Sequence, residues 1–132
     1  MTILDNKQAV LDFCAHFKRA AIADLLDAMS EDATWWIIGK PDLFPGAGTK
    51  SKADMKRIWS DLFAHMKDGL EMNVIGMIAE TDKVAAEIRS HADLTDGRVY
   101  ENQYHMLFRH RQGKIVEVRE YADTLLIAKM FG

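Results

Sequence analysis

The chain has 132 residues, which suits one domain, with 48% hydrophobic and 28% charged residues and a net charge of −3. That balance gives no electrostatic reason to expect nucleic acid or an anionic membrane as partner, and no apolar run approaches the roughly 20 residues needed to span a bilayer. Cys14 is the only cysteine, which excludes an internal disulfide and a cysteine-based zinc cluster. The start, "MTILDNKQAV", lacks the basic, apolar and small-residue segments of an export signal, so a cytoplasmic location is expected.

In chain order, Val10, Phe13, Cys14 and Phe17 follow i, i+3, i+4, i+7 spacing and predict a helix that Asp5 or Asn6 caps. Leu25, Leu26 and Met29 predict a second short helix in "AAIADLLDAM". The period then changes. "ATWWIIG" is short, aromatic and β-branched, and reads as a strand with Trp35 and Ile37 on one face. "GKPDLFPGAGTK" reads as a loop long enough to form a lip or lid. Its glycines do not have the spacing of a phosphate-binding loop. Ser51, with Asp54 three residues later, predicts a capped helix whose apolar stripe is Met55, Ile58, Trp59, Leu62, Phe63 and Met66, with Gly69 as its stop. From Leu70 onward the chain reads as a four-strand meander, with turns at Thr81-Asp82, Asp96-Gly97 and Gln112-Gly113. The tail "TLLIAKMFG" is apolar enough to pack on the sheet or on a second subunit.

This order predicts one α+β domain over 1–132, in which helices cover one face of a curved antiparallel sheet around a concave space. Alternation in "YENQYHMLF" puts Tyr100, Asn102, Tyr104, Met106 and Phe108 on the inner face. The same rule in the last strand puts Val116, Val118, Glu120 and Ala122 inward. In the strand before them, Val84, Ala86, Ile88, Ser90, Ala92 and Leu94 point inward and His91 outward, unless a bulge exchanges the faces.

Glu120 is the sharpest candidate for chemistry. A carboxyl among valines loses hydration, its pKa rises towards neutrality, and it can then take and give protons. Tyr104 and Asn102, on the neighbouring strand, could hold an oxyanion or a water. His91 is a general acid only if the bulge exists. Trp35, Ile37, Trp59, Phe63, Ser90, Met106 and Val118 make the expected substrate wall, suited to a flat apolar polycyclic or terpenoid-like molecule. Competing structural roles are an ion pair for Glu120, a self-satisfied hydrogen-bond network for Asn102 and Tyr104, and plain core for the aromatics. The five histidines match no metal motif, so neither metal nor cofactor is expected. Asp123 reads as a turn or helix cap. Glu87, Arg89, His91, Gln103, His105, Glu117 and Arg119 make the outer sheet face polar, as water or a wet homodimer interface would require.

"SEDATWWIIG", the aromatic helix after a Gly-rich loop, "SHADLTDGRVYENQYHMLF" and "GKIVEVREYAD" together resemble the SnoaL-like, ketosteroid-isomerase-like proteins of the nuclear transport factor 2-like superfamily. The resemblance runs from about Lys7 to Asp123. It implies a cystatin-like cone of sheet wrapped on helices with an apolar pocket. It implies less about the reaction, because isomerases, polyketide cyclases, epoxide hydrolases, dehydratases and non-enzymes share this scaffold. The steroid isomerases' general base falls near Ile37, which cannot move a proton, and their acidic oxyanion donor falls near Tyr104. Trp35 and Ile37 stand where the epoxide hydrolases have Tyr and Asn. Their Arg and Asp fall near Ser90 and Ala92, or near Arg89 and His91 in the shifted register. The carboxylic acid on the last strand of the cyclases falls near Glu120. A small cofactor-independent acid–base enzyme is therefore expected, with a non-catalytic binding module or an interaction protein of the same fold as alternatives.

Overall fold

Two capping boxes start the long helices. In the computed structural model, which describes all residues Met1–Gly132, α1 (Ile3–His16) begins at Thr2. The Thr2 hydroxyl accepts from the Asp5 backbone N–H at 3.0 Å, and the Asp5 carboxylate accepts from the Thr2 N–H at 2.9 Å. The cap expected at Asp5 or Asn6 thus lies one turn earlier, because only Thr2 has a hydroxyl three residues before an acid. Ser51 and Asp54 close the same box, as expected, at the start of α3 (Lys52–Ala64). The short α2 (Ile22–Asp27) lies between them. α3 ends at Ala64, well before Gly69, and Met66 forms an isolated bridge with Leu94.

The sheet has six strands in the order β2-β1-β6-β5-β4-β3. They are β1 (Met29–Ile37), β2 (Gly48–Ser51), β3 (Glu71–Glu80), β4 (Lys83–Asp93), β5 (Val99–Arg111) and β6 (Lys114–Ala122). β3 to β6 form the expected meander. The sheet is mixed rather than wholly antiparallel, because β1 pairs parallel with β6. The meander leaves one edge of β6 unpaired. β1 covers it, and the long crossover through α3 brings the two strands together in the same direction. β1 also starts earlier than its aromatic run: Met29, expected in the second helix, pairs with Ile115. The end of the glycine-rich loop is a strand, β2, paired with the far side of β1. The tail forms α4 (Thr124–Phe131), N-capped by Asp123, whose carboxylate accepts from the Leu126 N–H at 3.1 Å.

The inner face of the sheet meets the apolar stripes of α1 and α3 around an aromatic nucleus. The Phe13 ring lies 5.5 Å from Phe17 and 6.0 Å from both Trp35 and Phe108, centre to centre. Trp59 stands edge-on to Trp35 at 5.5 Å. Such contacts add about 0.5–1.5 kcal/mol each beyond simple burial. Cys14 is buried in the same layer, and burial pushes its thiol up to about 12, so it packs and does not react. The β4–β5 ladder runs unbroken from Lys83–Arg109 to Asp93–Val99. The register shift on this side of the sheet lies in β3, between Val74 and Gly76. No helix is long and apolar enough to cross a membrane.

Gly69 ties the helical layer to the sheet. It sits at φ +74°, and a Cβ there would lie 2.3 Å from the Lys18 carbonyl oxygen and 2.7 Å from that of Phe17. Both are backbone atoms that cannot swing away. Gly69→Ala should cost about 2–4 kcal/mol in urea unfolding. Gly76→Ala, where nothing stands within 4 Å of the new Cβ, should change stability by less than about 0.5 kcal/mol. Equal effects from the two would contradict this packing.

Candidate functional site

The parallel pairing of β1 with β6 builds the site. It sets Trp35 beside Val118 and Ile37 beside Glu120, while β5 sets Met106 directly opposite Glu120 from the other side. Glu120 therefore stands on a central strand, between two apolar neighbours, facing inward. It is only 9% exposed. Its Oε1 accepts a hydrogen bond from the Trp35 indole N–H at 2.9 Å, and no cation lies near it. Burial raises its pKa from 4.5 to about 7, and the indole bond opposes that only in part.

Glu120 opens on a cavity of about 630 Å³. The floor is Trp35, Ile37, Met106, Tyr100 and Tyr104, with Trp59 of α3 across from it. Phe44 to Gly46 of the glycine-rich loop form one lip, and Ile127 and Phe131 of α4 form another. The Phe131 ring packs edge-on against Tyr100 at 5.0 Å. The volume and the predominantly apolar wall are those of a small-molecule site.

Beside the acid, three hydroxyls stand in a row. Ser90 donates to the Tyr104 oxygen at 3.2 Å and accepts from the Asn102 backbone N–H at 3.2 Å. The two phenol oxygens of Tyr100 and Tyr104 are 2.6 Å apart, so one donates to the other. The Asn102 amide donates to the Tyr100 oxygen at 2.9 Å and to the Asp123 carbonyl at 3.3 Å. Two bonds among three hydroxyls use two of their hydrogens. The third hydrogen rides on a phenol that lines the cavity and has no protein acceptor. One phenol hydrogen of the cluster is therefore not used within the protein. Burial, then the charges of Tyr100 and Glu120, push the Tyr104 phenol well above its usual range. Burial first, with Glu120 contributing, raises Tyr100 too. Both stay protonated donors at any ordinary pH.

The residues expected to act together separate into three groups. Glu120, Tyr104, Trp35, Ile37, Trp59 and Met106 line the cavity. Asn102 and Ser90 stand one layer behind it and hold the phenols. Asn102 pairs with Ser90 and lies beyond the stretch of β5 that faces β6, so it does not reach Glu120. Phe63 and Val118 are core: Phe63 packs on Phe17, and Val118 is wholly enclosed beneath the aromatic layer. His91 does not join the site. The unbroken β4–β5 ladder keeps it on the outer face, 3.3 Å from Glu101 and 3.5 Å from Asp93, and the Glu101 bond is the main cause of its raised pKa. Arg89 and Ser90 accordingly keep the unshifted register.

Four residues have roles in the site that the sequence did not assign them. Tyr100, expected on the inner face but given no chemical part, is the second phenol of the pair. Ile127 and Phe131 line the cavity from α4, and their i, i+4 spacing behind the Asp123 cap was the available signal. Trp35 was expected as wall alone, yet its indole N–H is the sole protein hydrogen-bond partner of the buried carboxyl.

The SnoaL-like domain family model matches residues 10–118. No curated protein matches the chain significantly. Among solved structures, an NTF2-like protein from Burkholderia xenovorans LB400 is 26% identical with a TM-score of 0.73, covering 100% of this chain and 99% of the other. PrhC from Penicillium brasilianum NBRC 6234 superposes with a TM-score of 0.85 at 14% identity, over 98% of this chain and 87% of its own. TerC, crystallised with polyporic acid, gives 0.79 at 20% identity, over 95% and 96%. With the mixed six-stranded cone and the family match both spanning most of its length, the chain belongs to the SnoaL-like family of the NTF2-like superfamily.

Proposed function

We propose that the chain is a cofactor-independent enzyme that moves protons on an apolar, carbonyl-bearing molecule held in the cavity. The observation that carries this is Glu120: a cavity-lining carboxyl, desolvated, with one hydrogen bond and no countercharge. A structural acid at such a depth is ordinarily paired. One titrating near neutrality can act as base and then as acid within a turnover.

The geometry supports a defined sequence. The Trp35 N–H holds Oε1, which leaves the other carboxylate oxygen for the substrate. That oxygen takes a proton from the carbon next to the substrate carbonyl. The C–H electron pair becomes a C=C bond, and the carbonyl π pair moves onto oxygen. The free phenol hydrogen of the Tyr100–Tyr104 pair meets that oxyanion, as a fixed donor in a dry site. Glu120, now protonated, returns its proton at the same carbon or at a conjugated one, and an isomer leaves. The same acid and donor would also serve a cyclisation or dehydration. That TerC, on this scaffold, was crystallised with polyporic acid agrees with a small-molecule site. A binding module without turnover is the second reading. It is favoured by Ile37, which stands near the position of the steroid isomerases' base.

Hydrogen–deuterium exchange at C1 of 2-tetralone in D2O, followed by proton NMR, tests this reading without the natural substrate. The wild-type chain should accelerate exchange, with a rate that rises with pH through about 7 and then levels, because the carboxylate is the active form. Glu120→Gln should lower it by about 100-fold or more while 2-tetralone still binds. Binding with no acceleration by the wild-type chain would favour the module. Tyr104→Phe should lower exchange about 10- to 100-fold with little change in pH profile; a full rate in that variant would remove the oxyanion role.

Burying this acid also links stability to pH. Its folded pKa of about 7 lies above the 4.5 of an unburied glutamate, so the folded state holds the proton more tightly. Folding therefore loses stability as pH rises from 4.5 to about 7, and the loss is complete above that. Glu120→Gln should match the wild type near pH 4.5 and exceed it by about 2–3 kcal/mol at pH 8 in urea unfolding. A gap that is constant with pH would contradict a buried, titrating acid.

For a partner beyond the small molecule, we propose a second copy on the polar outer sheet face. There the Arg119 guanidinium lies 3.9 Å over the Trp36 ring, and Trp36 packs against Tyr121. Arg and aromatic residues of this kind are enriched at interfaces. Light scattering should return twice the chain mass, and Arg119→Glu should return the mass of one chain. A wild-type monomer at all concentrations would dismiss the contact.

A further inference from the structure

Lys50 is the only lysine or arginine that lines the cavity. It is placed there by the sheet. Lys50 on β2 is the direct register partner of Trp35 on β1, so both side chains leave the same, inner face. The side chain is half-buried, and its ammonium donates one hydrogen bond, to the Ala47 carbonyl at 2.9 Å. An ammonium has three donors. The other two have no protein acceptor, and Lys50 takes part in none of the chain's ion pairs. Glu120 is not its partner. β1 lies between their strands and the two positions are offset along the sheet, which separates their backbones by about 10–12 Å. Asp61 also borders the cavity, but it is exposed on α3, where water screens its charge.

The cavity thus carries the Glu120 carboxyl on β6 and, two strands across, the Lys50 ammonium on β2. We propose that Lys50 is a specificity residue that receives a carboxylate of the substrate, so that the natural ligand is an apolar oxo-acid rather than a neutral hydrocarbon-like ketone. This rests on reading the cavity as the site of an apolar carbonyl compound. The acid group docks on the two free ammonium donors at the β2 edge, and the ring lies on Trp35 and Ile37. The carbonyl end then reaches Glu120 and the phenol pair. A charge-assisted bond at one end fixes which carbon meets the base at the other.

The test uses 2-naphthylacetate and 2-naphthylacetamide, which share a ring and differ in charge. Titration calorimetry at pH 6 and low salt keeps the probe ionised and Glu120 largely protonated. The wild-type chain should bind the acid about tenfold more tightly than the amide, and added salt should shrink that preference. Lys50→Met keeps the apolar stem and should bring the preference to about one, with amide affinity changed less than twofold. Lys50→Arg should retain the preference, and Glu120→Gln should leave it intact. Equal loss for both probes in Lys50→Met would reduce Lys50 to a prop for the Ala47 loop. A preference that survives Lys50→Met, or is absent from the wild type, would overturn the proposal. Those results leave the proton-transfer reading standing, because it is judged on tetralone exchange. Failure of both probes to bind at millimolar concentration would overturn the pocket and Lys50 together.

Discussion

The hydrogen bond from the Trp35 indole to the Glu120 carboxyl joins the core of this protein to its cavity. Trp35 is 1% exposed, and its ring is held by Phe13 on one side and Trp59 on the other. The same ring presents its one polar atom to the acid at 2.9 Å. An isolated buried carboxylate is costly in an apolar interior, and a single neutral donor offsets only part of that cost. The acid therefore shifts its titration instead of acquiring a cation. Its raised pKa is a consequence of how the aromatic nucleus packs around it.

The sheet topology makes that arrangement hard to avoid. β6 lies between β1 and β5, so a side chain on its inner face has neighbours from both. Ile37 flanks Glu120 on one side and Met106 on the other, and neither can bond it. One step along β5, the inner face changes from Met106 to Tyr104, and the phenols begin. Their hydrogen bonds run away from the acid, through Ser90 and Asn102 to the Asp123 carbonyl at the start of α4. Acid and donor are thus built as separate units on adjacent strands. That separation leaves both free for a third molecule, whereas a direct Glu120–Tyr104 bond would have spent them on each other.

Much of this was legible because strand alternation has a period of two and no exceptions where ladders are regular. The runs from Val84 to Ala92, from Tyr100 to Phe108 and from Val118 to Ala122 all face as their spacing implies, which put the phenols and Glu120 on the concave side. The shifted register for His91 was an open alternative because a bulge leaves no local mark in sequence; the bulge exists, but in β3. The parallel β1–β6 pair was not legible, since nothing in "ATWWII" states which distant strand it will join. The Trp35–Glu120 bond spans 85 residues and follows only from that pairing. β2 was hidden inside a loop rich in glycine and proline, and Lys50 with it. Phe63 and Val118 were expected in the wall and lie in the core instead: periodicity gives a face, and only the packed structure tells wall from core.

The central claim is that Glu120 titrates near neutrality inside an apolar cavity. The carbon-13 shift of its side-chain carboxyl, followed from pH 3 to pH 9 in protein labelled at glutamate Cδ and assigned by the resonance missing from Glu120→Gln, measures this directly. A midpoint at about 7 is expected. A midpoint near the 4.5 of a solvated glutamate would mean that water reaches the acid freely, and the proton chemistry built on its burial would not hold.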